Sequence, residues 1–169
     1  MMGQVKNVLV LCTGNSARSV LGEVLINELG QGRFRAFSAG SQPTGKPNPF
    51  AVELLDGLGY DTSYVRSKSW DEFSGEGAVA MDYVITVCSS AAGETCPYWA
   101  GAPVSAHWGI PDPAGAGETD EENRAAFRLA HQRMKARVEA LLALPLDDMD
   151  TAAQKTALQK IGQELEGAA

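Results

Sequence analysis

The sequence predicts an α/β domain: a four-stranded parallel sheet in a three-layer α/β/α arrangement, with an extra C-terminal helix. Three observations predict it. Two apolar runs, Asn7 to Leu11 and Tyr83 to Cys88, are continuous rather than alternating, as strands covered on both faces require. Stripes of helical period lie between the strands, and glycine or proline punctuates them. With 169 residues the chain has room for one core of ordinary size, so it reads as a single domain, its body at about 7–145 and a helical extension at about 150–166.

The elements follow in order. Asn7 to Leu11 is the first strand. Val20, Leu21, Val24, Leu25 and Leu29 form a helical stripe that stops at Gly30, where a glycine can close the last turn. Phe34 to Ser38 is a second strand. Phe50, Ala51, Leu54, Leu55 and Leu58 make another stripe, ending at Gly59. Tyr83 to Cys88 and Val104 to His107 complete the sheet. Thr119 and Glu122 stand at capping-box spacing before a long helix whose inner face is Phe127, Ala130, Met134, Val138 and Leu141. Thr151 and Gln154 repeat that spacing before a last helix with Ala157, Ile161 and Leu165 on one side. Gly75 to Gly77 and Gly115 to Gly117 mark surface loops.

A formal net charge of -7 argues against nucleic acid or an anionic membrane surface as partners, because both reward a basic field. Any anion site must therefore be local. The apolar run at residues 8–12 is too short for a signal-peptide core, and no stretch of about eighteen apolar residues occurs, so a cytoplasmic protein is expected. Three cysteines make a static disulfide framework improbable in such a compartment and leave metal binding, redox chemistry or burial. A zinc site from Cys88, Cys96 and His107 lacks the spacing of a zinc knuckle.

The stretch Cys12-Thr13-Gly14-Asn15-Ser16-Ala17-Arg18-Ser19 carries the chemistry. Cys12 ends the first strand and the helix opens near Ser16 or Ala17, so unpaired backbone N–H groups and the positive end of the helix converge on the sulfur. Gly14 and Asn15 tolerate the left-handed backbone a tight loop demands. Arg18 offers a planar fork for two oxygens of one anion, and Ser19 a hydroxyl for the sulfur. Such surroundings lower a thiol pKa from about 8.5 to roughly 3.5–7.5, so the thiolate should predominate. The nucleotide-binding Gly-Lys-Ser/Thr ending is absent.

Cys12-x5-Arg18-Ser19 after a first strand, with Asp112-Pro113 far downstream, resembles the low-molecular-weight tyrosine phosphatase fold. Thr86-Val87-Cys88, Glu94-Thr95-Cys96-Pro97 and Ala106-His107-Trp108-Gly109-Ile110-Pro111-Asp112-Pro113-Ala114 resemble its arsenate reductase branch. The likeness covers roughly residues 7–145. It implies an oxyanion loop made of Thr13, Gly14, Asn15, Ser16, Ala17 and Arg18, and catalysis by Cys12, Arg18, Ser19, Cys88, Cys96 and Asp112, with Asp112 as general acid. Arsenate would become arsenite through a Cys12 to Cys88 to Cys96 disulfide relay, and phosphate or sulfate could occupy the same loop.

The resemblance implies no tightly bound cofactor and an external thiol reductant, with thioredoxin the leading donor and glutaredoxin with glutathione the alternative. A monomer is expected, and the resemblance implies a monovalent cation beneath the loop near Asn15, Glu23 and Ser38. Ala114-Gly115-Ala116-Gly117 stands where the tyrosine phosphatases carry aromatic residues that flank a phenyl ring. A phosphatase acting through a phosphocysteine on Cys12 is the alternative activity. His107 and Trp108 read as packing and hydrogen-bonding residues, and His131 as part of a solvated helix face.

Overall fold

Four strands and four α-helices make up the regular structure of the computed structural model, which describes residues 5–74, 77–87 and 103–165. Cys88 and Cys96 lie outside the described residues. In chain order the elements are β1 (Lys6–Leu11), α1 (Arg18–Leu29), β2 (Phe34–Ala39), α2 (Pro49–Gly57), β3 (Tyr83–Thr86), β4 (Val104–His107), α3 (Asp120–Leu142) and α4 (Thr151–Leu165). All pairings are parallel and the strand order is β2-β1-β3-β4. The chain leaves β1 toward β2 on one side and reaches β3 on the other. The crevice at the carboxyl ends of β1 and β3 is thus the switch point where open parallel sheets bind ligands.

Alternation along β1 divides the interior. Val8 and Val10 face a large core built with Val20, Leu21, Val24 and Leu25 of α1, Ala51 and Leu55 of α2, and Phe127, Met134 and Val138 of α3. Leu9 and Leu11 face a smaller cluster with Ala39, Val84, Met81 and Phe73, the last from a 3₁₀ turn at Trp70–Phe73. Burying both faces explains why this strand reads as a continuous apolar run. No helix of the described residues is long and apolar enough to cross a membrane.

Three expectations about elements shift here. β3 ends at Thr86 rather than at Cys88, because its partner β1 stops at Leu11, opposite Thr86; one further bond, Val87 N–H to Leu11 O at 2.9 Å, closes the ladder. α2 ends at Gly57, and Leu58 is exposed rather than packed, since it lies past the last turn that meets the core. The capping box at Thr119 and Glu122 is present, but the one at Thr151 and Gln154 is not. There Asp150 caps the helix, its Oδ1 accepting from Ala153 N–H at 2.8 Å. Gln154 instead donates to the carbonyls of Leu146 and Met149 and accepts from the Tyr83 hydroxyl. Burial pushes the Tyr83 phenol up to about 12.

The final helix is integral to the domain. Leu158 and Ile161 are buried against β4, worth about 2 kcal/mol each in apolar area removed from water. Leu158 O accepts from Trp108 Nε1–H at 3.0 Å. Gly162 lies so close to the His107 carbonyl that a Cβ there would collide with it. The buried stripe is therefore Leu158, Ile161 and Gly162: Ile161 is buried as predicted, and Leu158 takes the place expected for the half-buried Ala157.

Candidate active site

The loop after β1 is held from outside by its carbonyls. Thr13 O accepts from Gln42 N–H, Gly14 O from Thr44 N–H and the Ser67 hydroxyl, and Ser16 O from Asn48 N–H, at 2.8–3.1 Å. In a trans peptide the N–H lies opposite the C=O. Turning the carbonyls of Thr13 and Ser16 outward therefore turns the N–H groups of Gly14 and Ala17 toward the concave side. Ala17 is the N-cap of α1 and has no side chain to satisfy the first turn, so that turn's donors remain available to an anion. Asn15 takes the left-handed backbone, with φ of 45°, and Gly14 does not.

Gly40, at the end of β2, forms the floor. A Cβ there would collide with the carbonyls of Thr13 and Cys12. Its own backbone is pinned to the next segment, donating to Lys68 O and accepting from Trp70 N–H. The close approach is possible only for glycine. Cys12 itself is a buried cysteine, 6 % exposed.

Beneath the loop runs a buried polar chain. Lys68 N–H donates to Asn15 Oδ1 at 2.9 Å, which fixes the orientation of that amide. The Asn15 NH₂ then donates to Ser19 Oγ and to Ser38 Oγ, both at 2.9 Å, and the Ser38 hydroxyl donates to Glu23 Oε1 at 2.6 Å. Asn15, Ser19 and Ser38 are fully buried, and Glu23 and Lys68 are nearly so. Burial pushes the Glu23 carboxyl up, opposed first by the Lys68 ammonium and then by the Ser38 hydrogen bond. Burial likewise pushes the Lys68 ammonium down, opposed by Glu23.

Arg18, the first residue of α1, spans the opening. Its Nη1 donates to Ile110 O at 3.0 Å and its Nη2 lies 3.5 Å from Asp112 Oδ2. Its Nε is buried with no partner among the described residues, a donor left for an oxyanion. Asp112 is both a turn residue and a site residue: Oδ1 accepts from Ala114 N–H at 3.0 Å while Oδ2 faces Arg18. Its side chain is 53 % exposed, so this ion pair is well screened.

The structure thus brings together Cys12, Thr13, Gly14, Asn15, Ser16, Ala17, Arg18, Ser19 and Asp112 at one end of the sheet. Ser19 accepts from Asn15, which leaves its O–H as the group to be donated. His107 Nδ1 pairs with the Thr86 hydroxyl at 2.8 Å and Trp108 is fully buried, both as packing residues. His131 departs from its expected solvated face: its Nε2 is buried with no partner among the described residues, and burial and Lys135 push its pKa down. Among the described residues no group of three or more His, Cys, Asp or Glu side chains could hold a metal ion.

Sequence reasoning missed Gly40, Lys68 and Arg137. Arg137 lies buried on α3 and donates to the carbonyls of Arg133 and Gly109, which anchors the segment leading to Asp112. Only a glycine directly after a strand signals Gly40; nothing local signals the other two.

Asn15, Glu23 and Ser38 do meet beneath the loop, yet they do not fit a bound monovalent cation. Such an ion takes several oxygens with lone pairs to spare. The oxygens of Asn15, Ser38 and Glu23 are already joined to Lys68 N–H, to the Asn15 amide and to the Ser38 hydroxyl, and the buried Lys68 ammonium already places a positive charge in the field of Glu23, so a second cation there would be repelled.

The family model described as low molecular weight phosphotyrosine protein phosphatase matches residues 7–158. Arsenate reductase of Halalkalibacterium halodurans is 35 % identical over 134 residues, which are 79 % of this chain and 93 % of the relative. A solved arsenate reductase in its phosphate-binding state superposes with a TM-score of 0.67 at 27 % identity, covering 82 % of this chain and 98 % of its own. The thioredoxin-dependent arsenate reductase of Corynebacterium glutamicum shares the fold at a TM-score of 0.58 and 22 % identity, covering 83 % of this chain and 62 % of its own.

Proposed function

Because the chain belongs to the low molecular weight phosphotyrosine protein phosphatase family, with arsenate reductases as its curated relatives, we propose that it reduces arsenate to arsenite by a thiol relay. The observation that carries the reading is a buried cysteine at the mouth of β1, ringed by a loop whose carbonyls are fastened outward.

The Cys12 thiolate attacks arsenic in arsenate held by the loop amides and Arg18. An S–As bond forms, and a hydroxyl leaves as water with a proton from Asp112. The Cys88 thiolate then attacks the Cys12 sulfur. That S–S bond forms as the S–As bond breaks, and the electron pair of the broken bond stays on arsenic, which departs as arsenite. Cys96 attacks Cys88, leaving a Cys88–Cys96 disulfide and a free Cys12 thiolate. Two thiols are oxidised, arsenic gains two electrons, and an external dithiol restores the pair by exchange. Thioredoxin is the donor we favour, with glutaredoxin and glutathione as the alternative. Cytoplasmic, monomeric operation completes the reading.

The test is arsenite formation from arsenate with thioredoxin, thioredoxin reductase and NADPH, followed by mass mapping of disulfides after one turnover without reductant. A Cys88–Cys96 peptide, and loss of turnover in Cys88→Ser, are expected. Equal turnover in that variant sinks the relay. Vigorous phosphate-ester hydrolysis with no arsenite in the intact protein assigns the chain to the phosphatases instead.

A further inference from the structure

The residues beneath the loop reject the monovalent cation that the family resemblance implies, and the reason is a residue of this chain. Glu23 is a carboxylate at 3 % exposure, and a buried charge of that kind needs a counter-charge or loses its ionisation. Lys68 stands at 7 % exposure in the same interior. Its ammonium donates to Arg66 O at 3.0 Å rather than to the carboxylate, so it acts on Glu23 through space, in a medium that screens poorly. Its backbone N–H meanwhile grips Asn15, and its carbonyl accepts from Gly40 N–H. One residue thus touches the loop asparagine, the loop floor and the field around Glu23.

We propose that Lys68 is a positioning residue whose ammonium supplies the positive charge beneath the anion loop, so that the loop of this chain is assembled without a bound monovalent cation. The proposal rests on the oxyanion-site reading for its consequence, which is independence from potassium. Arg66 contributes to the same field from the surface, where its guanidinium pairs with Glu72 at 2.6 Å. The chain Lys68, Asn15, Ser19, Ser38 and Glu23 then keeps its hydrogen-bond directions whatever salt surrounds the protein.

The test measures binding and melting rather than turnover, so a chain that failed to reduce arsenate would leave it intact. Inorganic phosphate is titrated calorimetrically into wild type, Lys68→Met and Lys68→Arg, in potassium chloride and in choline chloride of equal ionic strength, and thermal unfolding is followed in both salts. Wild type and Lys68→Arg are expected to bind phosphate equally in the two salts. Lys68→Met is expected to bind about fivefold or more weakly in choline, and to recover affinity and melting temperature in potassium. A saturable gain in wild-type phosphate affinity or melting temperature with potassium overturns the proposal, and so does a Lys68→Met protein indistinguishable from wild type in both salts. Should Lys68→Met fail to fold, the potassium titrations of wild type and Lys68→Arg decide.

Discussion

The two walls of the anion site are built differently. On the cysteine wall, Thr13, Gly14 and Ser16 are fastened through their carbonyls to two neighbouring segments, the loop packs against Gly40, and a polar chain with almost no access to water lies beneath it. On the acid wall, Asp112 sits half in solvent in a short turn, joined to the loop through Arg18 alone among the described contacts. The difference teaches where each wall gets its order. The first is preorganised by the fold, as an electrostatic cradle must be if it is not to reorganise during reaction. The second is held more weakly, since a screened ion pair is worth at most about 1 kcal/mol.

Three measurements break or sharpen this contrast. The largest effect is expected for Arg18→Lys, which keeps the charge but loses the fork that holds Ile110 O, Asp112 and an anion together. Its kcat/KM for arsenate should fall about 10³-fold, with a parallel loss of phosphate affinity. Unimpaired phosphate binding would mean that the amides alone make the cradle.

Asp112→Asn should lower kcat/KM about 10²-fold, the lower range for a lost general acid. Because the amide oxygen can still accept from Ala114 N–H, the turn should persist, and phosphate should bind at least as tightly as in wild type, freed of competition for Arg18. A large fall in phosphate affinity would show the acid wall to be part of the preformed site.

Gly40→Ala is the smallest of the three in energy and the most local in place. The added methyl has nowhere to go except into the Cys12 and Thr13 carbonyls, so about 2 kcal/mol of stability should disappear in chemical denaturation. Phosphate affinity should fall with it. Normal binding in a destabilised protein would separate the floor from the cradle and refute its role in holding the loop.

Much of this was legible along the chain, for reasons that can be named. Continuous apolar runs reported strands buried on both faces, and the stripe of α3 matched its buried side almost residue for residue, whereas α1 is buried over the whole run Ser19 to Ile26 and its expected Leu29 is only half-buried. The Cys12-to-Arg18 stretch announced an anion loop because its chemistry sits within one turn of chain. Where the reading slipped, a distant group had intervened. Gln154 was drawn off its expected capping role by the Tyr83 hydroxyl and two carbonyls. In the last helix, the burial of Leu158 and Gly162 was set by Trp108 and the His107 carbonyl, fifty or more positions upstream.

The amino-acid order by itself determined the elements, the layer architecture and the loop that joins Cys12 to Arg18, since each depends on residues within a few positions of one another. Tertiary structure alone decided the strand order that opens a crevice at β1 and β3, the burial of Arg137 behind the Asp112 segment, and the meeting of Lys68 with Asn15 and Glu23. Those depend on hydrogen bonds and fields between groups far apart in the chain, which no local period encodes, because a lysine or a glutamate reads as a surface charge until the fold closes over it.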